Sequence, residues 1–127
     1  SPIHVLIGEL DEWVPADACS DLISLMQSND IDANITVYKD AHHSFDRDQG
    51  IMIAENGYSF TDCRFKMNDE GAVLMNYFNI PMTNWFFQKI GFAFCAKRDP
   101  RFGGHPESRE KSFKFAKAFM SKHLLNK

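Results

Sequence analysis

Two side chains in this sequence have the types needed for acid–base chemistry, the carboxylate of Asp11 and the imidazole of His43. Histidine is the common side chain whose ordinary pKa lies near neutrality, so it can take up and return a proton. A carboxylate that accepts a hydrogen bond from an imidazole fixes its tautomer, as in a nucleophile–base–acid triad. The two residues are 32 positions apart, so the fold has to bring them together.

The elements that would position this pair are two strands joined by a helix. Residues 3–7 are almost continuously apolar, which is typical of a parallel strand covered on both faces. The β-branched run at residues 35–39 predicts a second strand, and residues 16–27 predict a helix between them. A connection of this length favours parallel strands, so Asp11 and His43 are expected at the same edge of the sheet.

Each candidate has a rival beside it in the sequence. Glu12 is a second carboxylate next to Asp11, although adjacent residues are expected to point in different directions. His42 is a second imidazole next to His43. His42 and His43 could also bind zinc with His105 or a cysteine, but no H-x-x-x-H or C-x-x-C spacing supports this. We therefore expect no metal and no other cofactor.

The remaining elements are predicted from pattern alone. Residues 58–67 alternate in polarity, and with residues 72–77 they predict a β-hairpin closed by Gly71. Thr83 or Asn84 could cap an aromatic helix that follows. A last helix is expected to begin at Pro106. The positions expected to face the core are Leu22, Ile23, Leu25 and Met26 with Cys19 in the first helix, and Phe113, Ala116, Phe119 (or Met120) and His123 or Leu124 in the last.

Composition limits the classes of protein that this chain can belong to. The chain has 127 residues, 44% hydrophobic content and 12 Phe, which indicates a single domain, or part of one, with its own core. The net charge of −3 and the lack of a basic stripe argue against nucleic acid. No apolar run approaches the roughly 20 residues of a membrane helix, so no membrane partner is expected.

The cysteines suggest a cellular location, and the first residues suggest that the chain is part of a longer protein. Cys19, Cys63 and Cys95 are an odd number without C-x-x-C spacing, which favours reduced, buried thiols and a cytoplasmic location. A buried-type strand begins at residue 3 with no lead-in. We therefore expect residues 1–127 to be a fragment of a longer protein.

Two motifs together resemble the dienelactone hydrolase family of the α/β-hydrolase superfamily. They are Gly8-Glu9-Leu10-Asp11-Glu12-Trp13-Val14-Pro15, followed by Cys19 and Leu22, and Ala41-His42-His43-Ser44-Phe45-Asp46. The resemblance covers residues 2–46 well and the last helix more loosely. It implies the C-terminal part of an α/β-hydrolase sheet, with a parallel β-α-β unit and a closing helix. The hairpin and the aromatic helix would then be an insertion at residues 47–104.

The resemblance also implies roles. Asp11 would be the acid of a Cys/Ser-His-Asp triad, and His43 the base, because it directly precedes Ser44-Phe45. The substrate would be a small-molecule ester or lactone. The family's nucleophile lies in a G-x-C-x-G or G-x-S-x-G elbow, which this sequence lacks. We therefore expect the nucleophile to precede residue 1 and this isolated chain to be inactive.

Several alternatives stay open at the level of sequence. Cys19 lies near a helix start and could be a nucleophile, although its place on an apolar face favours a structural role. Trp13 and Phe45 either line a substrate pocket or pack in the core. The alternative to a hydrolase is a small, non-catalytic α/β interaction domain that binds a partner through an exposed sheet edge and the aromatic helix. Such an edge would also favour a homodimer or a swapped oligomer.

Overall fold

A computed structural model describes residues 2–125 of the chain, and its contacts divide the chain into two compact units. Unit 1 comprises Ser1–Ala54 and Arg101–Lys127, and unit 2 comprises Glu55–Pro100. The elements in chain order are β1 (Ile3–Gly8), α1 (Ala16–Ser28), β2 (Ala33–Tyr38), β3 (Met52–Ile53), β4 (Tyr58–Ser59), β5 (Lys66–Met67), β6 (Val73–Leu74), α2 (Trp85–Ala93), β7 (Lys97–Arg98), β8 (Arg101–Phe102) and α3 (Pro106–Met120), which continues as a π-helical turn (Ser121–Leu125).

Unit 2 lies inside the segment that the sequence predicts to be inserted, residues 47–104. That this segment is an insertion relative to other proteins stays a prediction. Within the described residues, no helix is long and apolar enough to cross a membrane.

Unit 1 is built on the parallel pair of β1 and β2. The register runs from Ile3 opposite Ala33 to Gly8 opposite Tyr38. Helix α1 connects the two strands, so strand, helix and strand follow one another as the sequence predicts. The expectation that β1 is buried on both faces is met only at its end, because Ile7 and Gly8 are buried while Ile3 is exposed. The core lies at that end of the sheet, where Tyr38, Ala41 and Phe45 pack together.

In both long helices of unit 1, fewer apolar residues are buried than predicted. Of the predicted face of α1, Ile23 is buried, but Leu22 and Leu25 are exposed. In α3 the predicted core residue Phe113 is 54% exposed, whereas Ser108 and Ser112 are buried. A serine can be buried on a helix when its hydroxyl bonds locally, and Ser112 Oγ donates to the carbonyl of Arg109 at 2.9 Å. A hydrophobicity pattern overlooks such positions.

Unit 2 contains the predicted hairpin in a shorter form. Strands β5 and β6 pair antiparallel, and Gly71 lies between them at φ +79°, a conformation that glycine adopts without steric cost. The prediction that residues 58–65 belong to this hairpin is wrong, because β4 pairs instead with β7. Helix α2 begins as predicted after Asn84, whose Oδ1 accepts from the backbone N–H groups of Phe86 and Phe87.

The prediction of three reduced cysteines is wrong for two of them. Cys63 and Cys95 form a disulfide across a sequence separation of 32, with their Cα atoms 5.0 Å apart. Cys19 is the free cysteine. Sequence spacing could not show this pair, because neither residue has a cysteine near it in sequence. The expected cytoplasmic location loses the argument from reduced thiols and stays a prediction.

The disulfide gives a first testable prediction. Denatured, non-reduced protein should take up iodoacetamide only at Cys19, and reduction should expose Cys63 and Cys95 as well, as mass spectrometry would show. The double variant Cys63→Ser/Cys95→Ser should lower the free energy of unfolding of unit 2 by about 3 to 4 kcal/mol, because the loop constraint on the unfolded chain is lost. Cys19→Ser serves as the control outside the loop. Alkylation of all three cysteines without reduction would contradict the pairing.

Candidate active site

The loops that follow β1 and β2 are held side by side by backbone hydrogen bonds. Glu9 N donates to the carbonyl of Tyr38, and Leu10 N donates to the carbonyl of Ala41, both at 2.9 Å. These bonds continue the parallel pairing beyond the ends of the strands. They place the loop that carries Asp11 against the loop that carries His43.

Asp11 and His43 are joined by a hydrogen bond. His43 Nδ1 lies 2.9 Å from Asp11 Oδ2. The other carboxylate oxygen, Oδ1, accepts from the backbone N–H groups of Trp13 and Val14, each at 2.9 Å. The side chain of Asp11 is 7% exposed and that of His43 is 37% exposed. The carboxylate is therefore fixed and shielded, while the ring is partly exposed to solvent.

The ring of His43 has an aromatic neighbour that the sequence left ambiguous. Trp13 contacts it edge to face, with ring centroids 4.8 Å apart. The ring of Trp13 in turn lies 5.7 Å from the ring of Phe102. The guanidinium of Arg47 lies over the ring of Phe102, 5.5 Å from its centroid. Gly103 N donates to the carbonyl of His43 at 2.9 Å. Sequence reasoning missed Phe102 and Gly103, because nothing in their own pattern links them to a loop so distant in sequence.

The two rival residues have other partners. Glu12 accepts a hydrogen bond from the backbone N–H of Arg101, and its Oε1 lies 3.5 Å from that arginine's Nη2. His42 is 6% exposed, and its Nδ1 donates to the carbonyl of Leu10 at 3.1 Å. Both side chains form hydrogen bonds to the backbone of another loop. The structure brings neither of them to the hydrogen bond between Asp11 and His43.

Phe45 packs in the core and also lies beside a cavity. It is buried and its ring lies 4.9 Å from that of Tyr38 in the core. It also lines, with His43 and residues of α3, a cavity of about 390 Å³.

The third histidine weighed for zinc, His105, caps α3. Its Nδ1 accepts from the backbone N–H of Ser108 at 3.3 Å and lies 2.7 Å from that residue's hydroxyl. No group of three or more His, Cys, Asp or Glu between residues 2 and 125 could hold a metal ion.

Cys19 has the electrostatic environment of an unreactive thiol. Burial raises the pKa of its thiol above the ordinary value, and the nearby charge of Asp11 raises that pKa further. The thiolate is the nucleophilic form of cysteine, so a raised pKa leaves less of it at neutral pH. This environment supports the structural role that the sequence favours for Cys19.

The arrangement of Asp11 and His43 is that of a known class of protein. A carboxylate and an imidazole, in that chain order, lie at the ends of neighbouring parallel strands, as in α/β hydrolases. Comparison with protein-family models agrees, because the model of the dienelactone hydrolase family matches residues 1–124. The chain belongs to the dienelactone hydrolase family, so the family identified from the sequence is confirmed, and with it the α/β-hydrolase fold class. Comparisons with curated proteins and with solved structures gave no match.

The contact at Gly8 gives a prediction about how the two loops meet. A Cβ atom on Gly8 would lie 2.3 Å from the carbonyl oxygen of Ala41 and 2.8 Å from that of His42. Both are backbone atoms, so Gly8→Ala should lower the free energy of unfolding by about 1 to 3 kcal/mol in urea titrations. Gly50→Ala is the control, since nothing lies within 4 Å of its Cβ position. Equal stability of the two variants would contradict the close approach.

The environment of Cys19 gives a prediction about pH. Its iodoacetamide reaction in folded protein should accelerate only above the pH at which an ordinary thiol ionises, because its pKa is raised. Asp11→Asn removes one cause of that rise and keeps an oxygen for the loop N–H groups. This variant should therefore move the rate profile to lower pH. Asp17→Asn, on the same helix as Cys19, is the control and should leave the profile in place.

Proposed function

We propose that this protein hydrolyses ester or lactone bonds, with Asp11 as the acid and His43 as the base of a catalytic triad. The observation that carries the proposal is the 2.9 Å contact between His43 Nδ1 and Asp11 Oδ2. Membership of the dienelactone hydrolase family supports the reaction class. The exposure of the His43 ring supports its role further, because a base has to reach the group whose proton it takes.

In this proposal His43 Nε2 accepts the proton of a Ser or Cys nucleophile while that nucleophile attacks the ester carbonyl carbon. Asp11 stabilises the imidazolium that forms, and its bonds to the backbone of Trp13 and Val14 keep it in place. The imidazolium then donates its proton to the leaving alkoxide, and an acyl-enzyme remains. Water, deprotonated by His43, attacks the acyl carbon and releases the carboxylic acid and the free nucleophile.

The nucleophile itself is proposed to lie outside residues 1–127. The printed sequence contains no G-x-[CS]-x-G elbow. The raised pKa of Cys19 makes it a poor replacement. The β1-α1-β2 unit and α3 would then form the C-terminal part of the hydrolase sheet, with residues 47–104 inserted. The substrate is proposed to be a small ester or lactone that approaches the exposed side of His43 beside Trp13.

Matched substitutions of neighbouring residues test the assignment of acid and base. In the protein that carries this sequence together with its nucleophile, His43→Ala should lower kcat for p-nitrophenyl acetate by about 10³-fold or more. Asp11→Asn should lower kcat by about 10²-fold or more, because it removes the charge that stabilises the imidazolium. His42→Asn and Glu12→Gln are the controls and should change kcat by less than about threefold, because their partners are loop groups.

Circular dichroism of each variant separates loss of chemistry from loss of fold. Equal losses in the His42 and His43 variants, with the fold retained, would overturn the assignment. Turnover by residues 1–127 alone, above that of a Cys19→Ala variant, would show instead that Cys19 is the nucleophile.

A further inference from the structure

Unit 2 contains a cavity of about 460 Å³ with an aromatic wall and a basic rim. This volume is within the range of small-molecule sites in proteins. Every lining residue belongs to unit 2, so the cavity shares no residue with the candidate active site. The lining contains no acidic side chain; its residues are Tyr58, Phe60, Lys89, Phe92, Ala93, Ala96 and Arg98.

The aromatic wall is formed by three rings in contact. Phe60 lies 5.1 Å from Phe92 of α2, with their planes inclined at 47°. Tyr58 of β4 stacks on Phe60 at 6.3 Å, with an angle of 17°. Such a wall favours a flat or flexible apolar body, because aromatic faces offer large contact areas.

The disulfide holds this wall together. Cys63 N donates to the carbonyl of Phe60 at 2.9 Å, and Cys95 N donates to that of Phe92 at 3.1 Å. The bond between Cys63 and Cys95 therefore links the turns that carry the two phenylalanines. The cross-link fixes the spacing of the wall before any ligand binds, which lowers the entropic cost of binding.

The two basic side chains at the rim lack acidic partners. In the described part of the chain, no carboxylate lies within 4.0 Å of Lys89 Nζ or of the Arg98 guanidinium, whereas Lys97 pairs with Asp62 at 2.6 Å. Arg98 is oriented by Tyr58, since its Nη2 donates to the phenol oxygen at 3.1 Å. Lys89 Nζ lies 5.1 Å from the ring of Trp85, one helical turn earlier.

We propose that unit 2 binds a small amphiphilic carboxylate, an aromatic or alkyl acid whose apolar body enters the cavity. The carboxylate would lie between Lys89 and Arg98, where it can form charge-assisted hydrogen bonds. A singly charged acid fits better than a phosphate, because the first N–H groups of α2 are already bonded to Asn84 and the cavity offers only two side-chain cations. The proposal uses no residue of the proposed triad, so each can fail without the other.

Isothermal titration calorimetry of the whole chain with naphthalene-2-carboxylate and naphthalene-2-methanol tests the proposal. The two probes share a ring system and differ in charge. The affinity for the carboxylate should be at least about fivefold higher than that for the alcohol. The difference is modest because exposed cations add little to the free energy of binding. Lys89→Gln/Arg98→Gln should abolish this preference. Arg64→Gln/Lys66→Gln removes the same charge from unit 2 outside the cavity and should preserve it. Phe92→Ala should weaken binding of both probes.

Backbone amide shifts in NMR spectra locate the binding without relying on variants. The carboxylate should shift the amides of Phe60, Phe92 and Arg98 in the wild-type chain, and it should do so equally in His43→Ala. Reduction of the disulfide should weaken binding of both probes. An equal affinity for the two probes, or an equal loss in both double variants, would overturn the proposal. Shifts confined to the surroundings of His43 would overturn it as well and would leave the proposed triad untouched.

Discussion

The site depends on one constraint, the close approach of the backbone after β1 to the backbone after β2. Gly8 has no Cβ, and this allows the carbonyl of Ala41 to come within a distance that any side chain would block. The hydrogen bonds from Glu9 and Leu10 then extend the parallel pairing into the loops. The contact between Asp11 and His43 follows from that alignment, because each residue lies a fixed number of positions beyond its strand.

In each loop, two neighbouring residues of the same chemical type have different hydrogen-bond partners. Of the two carboxylates, Asp11 faces the imidazole and Glu12 bonds to Arg101. Of the two histidines, His43 is partly exposed, while His42 is buried on a carbonyl of the first loop. Successive residues of a chain point in different directions. The residues that connect the two loops to other groups are therefore the neighbours of Asp11 and His43. A substitution of Glu12 or His42 would therefore remove a contact between loops.

Unit 2 is stabilised in another way. Its strands are only two residues long, and many of its aromatic side chains, such as Trp85 and Phe94, are exposed. A unit of this size buries a smaller fraction of its surface than a larger domain does, so a cross-link that constrains the unfolded chain accounts for a larger share of its stability. The disulfide between Cys63 and Cys95 supplies that constraint, while Cys19 of unit 1 stays a free thiol.

The sequence by itself determined the features that depend on local chemistry. An apolar run predicted β1, a β-branched run predicted β2, a cap at Thr83 or Asn84 predicted the start of α2, Gly71 predicted the hairpin turn, and two motifs predicted the family. The tertiary structure alone decided the partner of β4, the disulfide, and the loop groups to which Glu12 and His42 bond. These features join residues far apart in sequence, and local propensity carries no information about such pairs. They are selected by the packing and the hydrogen bonds of the whole fold.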